Sequence, residues 1–149
     1  PYYLPDRLRA FAAKYPGIEV VVHEDTTAQL AAAVAAKEID CALVSLPVER
    51  AGLEAEEFFD EPLLVALPAG HRLTRKKQPT LDDLEAVLAF VAAGWGVSIV
   101  PAMAARKPGK GDVCRALPGR SRPIGVIYRS GRPLGRATRA LVDFLRTGK

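Results

Sequence analysis

The sequence predicts an α/β fold, and three observations carry that expectation. Apolar residues recur at helical spacing in several stretches, continuous apolar runs stand between those stretches, and turn-forming residues separate the two. Strands that alternate with helices imply a mostly parallel sheet covered on both faces.

Taken in order, Leu4, Leu8, Phe11, Ala12 and Tyr15 share one helical face, and Tyr15-Pro16-Gly17 turns the chain out of that helix. Residues 18–24, IEVVVHE, are β-branched and predict a strand. A second helix follows over 26–39, where Thr26 or Thr27 suits the N-cap and Gln29 completes a capping box with Thr26. Residues 40–47, DCALVSLP, form the continuous apolar run of a doubly covered strand. An acidic connector, in which Glu56, Glu57, Asp60 and Glu61 read as solvated, leads to another such run, PLLVALP, at 62–68. Thr80 can cap a helix carrying Leu81, Leu84, Leu88 and Val91 on one face. Gly94-Trp95-Gly96 ends that helix and turns into a strand at 97–101. Residues 105–112, ARKPGKGD, predict a loop, and PIGVIYR at 123–129 predicts the last strand. The closing helix, 133–146, buries Leu134, Leu141, Phe144 and Leu145 and leaves Arg136 and Arg139 in water. The order opens on a helix where an α/β unit would supply a strand first.

A chain of 149 residues suits one domain with a real core. No apolar run reaches the ~20 residues of a membrane span, and no basic-then-apolar leader precedes the first helix, so no membrane partner is expected. The two cysteines, Cys41 and Cys114, lack C-x-x-C spacing and give neither a disulfide framework nor a zinc site. A reduced, cytoplasmic protein is expected. Charge divides unevenly: residues 1–103 carry nine Lys/Arg against fifteen Asp/Glu, and residues 104–149 carry twelve against two. Such a basic segment suits nucleic acid or an acidic partner, but its arginines are dispersed, which favours an arginine face that offsets the acidic half of the same molecule.

The chemistry of an enzyme is missing. PGKGD at 108–112 lacks the flanking glycine and hydroxyl of a phosphate loop, and Gly94-Trp95-Gly96 lacks the third glycine of a dinucleotide fingerprint. His23 beside Glu24 and Asp25 has no H-E-x-x-H context, so neither metal nor cofactor is expected. Neither Ser45 nor Ser98 sits in a nucleophile elbow. Cys41 lies in an apolar strand as a buried, inert thiol, whereas Cys114 has Arg115 beside it and keeps a minor redox reading. In α/β sheets ligands sit at strand carboxyl ends and helix N-termini, which singles out the turn at 24–27 and the strand exit at 44–47.

Six segments in order, from PYYLPDRLRAFAAKYPGIEVVVHEDTTAQL through AAKEIDCALVSLP, FFDEPLLVALPAGHRL, TLDDL and FVAAGWGVSIVP to IGVIYRSGRPL, resemble the effector-binding domain of LysR-type transcriptional regulators. HEDTTAQL, EIDCALVSL and FFDEPLLVA are most similar to the peroxide-sensing OxyR branch. The resemblance implies two periplasmic-binding-protein-like (type II) Rossmann-like lobes with an effector cleft between them. Thr26, Thr27, Ser45 and Leu46 would line that cleft from one lobe, and Gly94 would lie near its mouth on the other. It also implies a homodimer or homotetramer that reaches promoter DNA only through an N-terminal winged helix-turn-helix absent from this sequence. The implied effector is hydrogen peroxide, the alternatives being a small aromatic or carboxylate effector bound non-covalently, or a solute in a transport-type binding protein.

Two departures from the family stand out. The family has a strand immediately before PYYLP, and a long stretch of the second lobe between TLDDL and the helix that ends in FVAAG. Residues 1–79 and 113–149 are therefore assigned to the first lobe and 80–112 to a remnant of the second, with a seam at Glu85–Ala86. The reactive cysteine of the OxyR branch lies in the missing stretch. Cys41 matches a first-lobe cysteine that is not the sensor, so no sensor cysteine carries over.

Overall fold

The computed structural model describes residues 3–68, 84–104 and 112–147. The elements are α1 (Leu4–Lys14), α2 (Thr27–Ala36), β1 (Cys41–Ser45), β2 (Leu53–Pro68), α3 (Leu84–Ala92), β3 (Ser98–Pro101), β4 (Asp112–Arg129) and α4 (Arg136–Thr147). Hydrogen bonds join the strands in the order β1-β4-β2-β3. The chain divides into two compact units, residues 1–60 with 123–149, and residues 61–122.

In the first unit β1 pairs antiparallel with β4, Cys41 opposite Tyr128 through Ser45 opposite Ile124. Side chains alternate across this ladder. Ala42 and Val44 join Ile127 and the α2 residues Ala31 and Val34 in one buried cluster. On the other face Cys41 packs against Val126, Tyr128 and Val142 of α4. α1 lies against α4 through Phe11, which is fully buried, with its ring 5.4 Å from Phe144. Burying a phenylalanine is worth about 2 kcal/mol by apolar area, so this contact anchors α1.

In the second unit β2 pairs antiparallel with β3, Leu63 opposite Pro101 through Ala66 opposite Ser98. Val91 and Leu88 of α3, with Ala66, Val100 and Ala104, are buried there. Helix α3 ends as the sequence predicts. Gly94 N–H donates to Val91 O and Trp95 N–H to Phe90 O, a Schellman closure with Gly94 at φ 82°.

Several expectations are corrected. The β1·β4 and β2·β3 pairings are antiparallel, not parallel. Residues 18–24 are not a strand, because among the described residues no neighbour forms a ladder with them. The acidic connector is itself strand: β2 starts at Leu53, and β4 begins at Asp112 rather than near 123. Arg139 is half-buried and bound to Glu56 rather than left in water. The two compact units divide at 60/61 and 122/123, and the β2·β3 pairing lies within the second. Helix α3 runs without interruption across Glu85–Ala86, so the seam is not a break in secondary structure; Leu84, Glu85 and Ala86 are all strong helix formers. The cap at Thr80, Leu81 and most of the loop at 105–112 lie outside the described residues.

The C-terminus of α2 repeats the Schellman pattern with a residue poorly suited to it. Lys37 N–H donates to Val34 O and Glu38 N–H to Ala33 O, with Lys37 left-handed at φ 69°. A side chain at that φ costs roughly 1 kcal/mol relative to glycine. Lys37→Gly is therefore expected to stabilise the chain by about 0.5–1 kcal/mol, read as a higher urea midpoint at unchanged slope.

Candidate functional site

The loop before α2 and the exit of β1 make the candidate site in the first unit. Thr26 takes the N-cap: Gln29 N–H donates to Thr26 Oγ1 at 3.3 Å, and the Thr26 hydroxyl donates to Gln29 Oε1 at 2.6 Å. The N-cap half of the predicted capping box is formed, whereas the reciprocal bond to the Thr26 backbone N–H is taken by Asp25 rather than by Gln29. Asp25 Oδ1 accepts from Thr26 N–H at 2.8 Å, which fixes the approach to the helix. Thr27 opens the helix, and His23, Asp25, Thr26 and Thr27 are all exposed.

Ser45 ends β1 half-buried, and Leu46 N–H donates to Pro123 O at 2.8 Å, extending the β1·β4 ladder by one bond. The Leu46 side chain packs on the same apolar cluster as Leu30 of α2, so the α2 N-terminus and the β1 exit share one end of this unit. Leu46 thus fills core as well as bordering the strand exit. Gly94 belongs to the second unit, exposed at the end of α3, where a side chain would meet nothing within 4 Å.

The two thiols differ. Burial pushes the Cys41 thiol up to about 11, with the Asp40 carboxylate adding to the shift. At neutral pH its reactive thiolate is scarce, as expected of an inert core cysteine. Cys114 stands half-buried near the start of β4. Among the described residues no three His, Cys, Asp or Glu side chains gather as a metal site, and no helix is long and apolar enough to cross a membrane.

Two carboxylates of β2 have roles the sequence reading missed. Glu56 accepts from the Tyr128 hydroxyl at 2.6 Å and from Arg139 at 3.1 Å, with Arg146 at 3.5 Å. The Tyr128 hydrogen bond, aided by the two guanidinium groups and opposed by burial, holds the Glu56 carboxyl below its ordinary value near 4.5. Because its folded value is depressed, its stabilisation is complete above about 4.5 and is lost as pH falls through the folded value. Glu56→Gln is expected to flatten the acid limb of the stability–pH curve, measured by urea unfolding from neutral pH downward. In the second unit Glu61, only 2% exposed, accepts two bonds from Arg122 at 2.7 and 2.8 Å and one from Met103 N–H at 3.1 Å. In each network arginines of the basic C-terminal segment meet carboxylates of the acidic one, at buried or half-buried positions rather than on a solvated face.

The LysR substrate binding domain model matches residues 1–86 and again 78–149, and the chain belongs to that family. The matched relatives narrow the likeness. The probable hydrogen peroxide-inducible genes activator of Mycobacterium xenopi is 41% identical over 78 residues, 52% of this chain and 41% of that protein. The DNA-binding transcriptional dual regulator OxyR of Escherichia coli is 27% identical over 188 aligned residues, covering 98% of this chain and 62% of that protein. The chain therefore spans less than two thirds of these curated relatives. Its backbone matches a mutant OxyR regulatory domain from Pseudomonas aeruginosa at TM-score 0.84 and 25% identity, over 98% of this chain and 90% of that one. It matches the BenM effector binding domain with benzoate at TM-score 0.82 and 18% identity, over 96% and 84%. The fold is thus that of these type II periplasmic-binding-protein-like effector domains. The alignment of 188 residues exceeds the chain's 149, so the relative carries residues this chain lacks. The two family matches overlap at 78–86, which includes the predicted seam.

Proposed function

We propose that this chain is the sensing domain of an OxyR-like, LysR-type transcriptional regulator that answers to hydrogen peroxide. The observation that carries the reading is the likeness to OxyR over 98% of the chain. In a longer cytoplasmic protein, a change of state here would bias dimer or tetramer arrangements and so the grip of attached DNA-binding heads. The role is regulatory rather than catalytic.

No sensor cysteine carries over to this chain; burial holds Cys41 as a thiol, and Cys114, with only a minor redox reading, is the thiol left to test. A Cys114 thiolate would attack one peroxide oxygen: the S–O bond forms, the O–O bond breaks, hydroxide leaves, and sulfur is oxidised to sulfenic acid. The test is stoichiometric hydrogen peroxide followed by intact mass with and without a thiol reductant. A reductant-reversible mass gain supports sensing by reaction. An unchanged mass together with a rise in Tm on adding a small aromatic carboxylate would transfer the role to binding near Thr26, Thr27, Ser45 and Leu46.

A further inference from the structure

The C-terminal end of α1 and one face of α4 border an open cavity of about 520 Å³ in the first unit. Neither Cys41 nor Cys114 lines it, so it stands apart from the thiol chemistry proposed above. One end is aromatic: Tyr15 and Phe144 line it half-buried, with the Lys14 ammonium 5.4 Å from the first ring centroid and 5.7 Å from the second. Phe11 packs on both rings, at 4.8 Å from Tyr15 and 5.4 Å from Phe144, and fixes them in place. Toward the other end stand Arg136 and Arg139, neighbours one turn apart on α4.

Charge in this cavity is unbalanced. Lys14, Arg136 and Arg139 line it against a single carboxylate, Asp143, which is already paired with Arg146 at 3.1 Å. Among the described residues neither Lys14 nor Arg136 has a carboxylate partner. Arg139 gives Nη1 to Glu56, and a guanidinium with five N–H donors has others left to offer. Two planar guanidinium forks one turn apart suit the several oxygens of a phosphate better than the two of a carboxylate. Arg136 and Phe144 are eight residues apart on α4, roughly 12 Å along its axis. A molecule that reaches both therefore needs a flat ring at one end and its anionic group at the other. At the ring end the Lys14 ammonium offers donors to ring nitrogens and carbonyls, which a nucleobase has and a plain aryl group lacks. We propose that this cavity binds a nucleoside monophosphate, with the base on Tyr15 and Phe144 beside Lys14 and the phosphate on Arg136 and Arg139. The base stacks on fixed rings, and the phosphate neutralises the cations that no carboxylate meets.

The test titrates adenosine monophosphate into the 149-residue chain, read by calorimetry and by amide chemical shifts. Adenosine, which lacks the phosphate, and inorganic phosphate, which lacks the ring, are the controls. The nucleotide is expected to saturate one site, and each control to bind at least about tenfold more weakly. Shifts should gather at residues 14–15 and 136–144. Arg136 is exposed and without a carboxylate partner among the described residues, so Arg136→Ala should leave the urea midpoint unchanged. The same change should weaken the nucleotide about tenfold and leave adenosine binding as it was. Lys14→Ala should weaken both nucleotide and adenosine, because it acts at the ring end. Inorganic phosphate binding as tightly as the nucleotide would overturn the proposal, since the rings would then contribute nothing. So would nucleotide binding that neither Arg136→Ala nor Lys14→Ala weakens, shifts gathered outside the cavity, or no saturable binding.

Discussion

Replacing Glu61 by alanine is expected to destabilise the second unit by roughly 3 kcal/mol. The carboxylate is almost wholly buried, and three donors converge on it: two from the Arg122 guanidinium and one from Met103 N–H. Alanine leaves the guanidinium and the amide without their acceptor. Arg122 is 39% exposed and can recover some hydration, which keeps the loss toward the lower end of the range for broken buried pairs. Glu61→Gln keeps the shape and one acceptor, and should cost about 1–2 kcal/mol. The double change Glu61→Leu with Arg122→Leu removes both charges and is expected to recover most of the loss. Urea midpoints of the four proteins separate a charge network from simple loss of packing: if the double variant is no more stable than Glu61→Ala, the ion pair is not the source.

Gly125→Ala is the second large effect, expected to cost about 2–3 kcal/mol. Gly125 sits inside β4 opposite Val44. A Cβ there would collide with the backbone carbonyl oxygen of Glu56 and approach Leu46 Cδ1 at 2.7 Å. Leu46 can rotate, but the Glu56 carbonyl, within β2, moves only if the strand moves. The same change at Gly94 meets no neighbour and should cost only the strain of a positive φ, about 1 kcal/mol. Thermal unfolding of the two variants should therefore differ clearly. Equal losses would mean that β2 yields freely at Glu56.

What was legible in the sequence was local. The N-cap at Thr26, with Gln29 N–H on its hydroxyl, and the glycine end of α3 depend on residues three to five apart, and both formed as read. Strand partners were not legible. Residues 18–24 have the composition of a strand, yet composition cannot supply a neighbour. Alternating helices and strands suggested parallel pairing, whereas the long β2 and β4 pair antiparallel with short strands at their ends. The carboxylates of β2 looked solvated because their partners lie far along the chain: Arg122 is 61 residues from Glu61, and Arg139 is 83 from Glu56. The candidate site residues Thr26, Thr27 and Ser45 came from the rule on helix starts and strand exits, and the structure sets them at those positions. Leu46 was readable as apolar but not as a core residue, which needs the packed α2 cluster to be known.

Peroxide sensing by this chain is tested most directly by residue-resolved mass mapping after brief exposure to stoichiometric hydrogen peroxide. The expected result is reductant-reversible oxidation at Cys114, with Cys41 unmodified because burial keeps its thiol protonated at neutral pH. Oxidation of Cys41 ahead of Cys114, or two thiols that both stay intact, would contradict it.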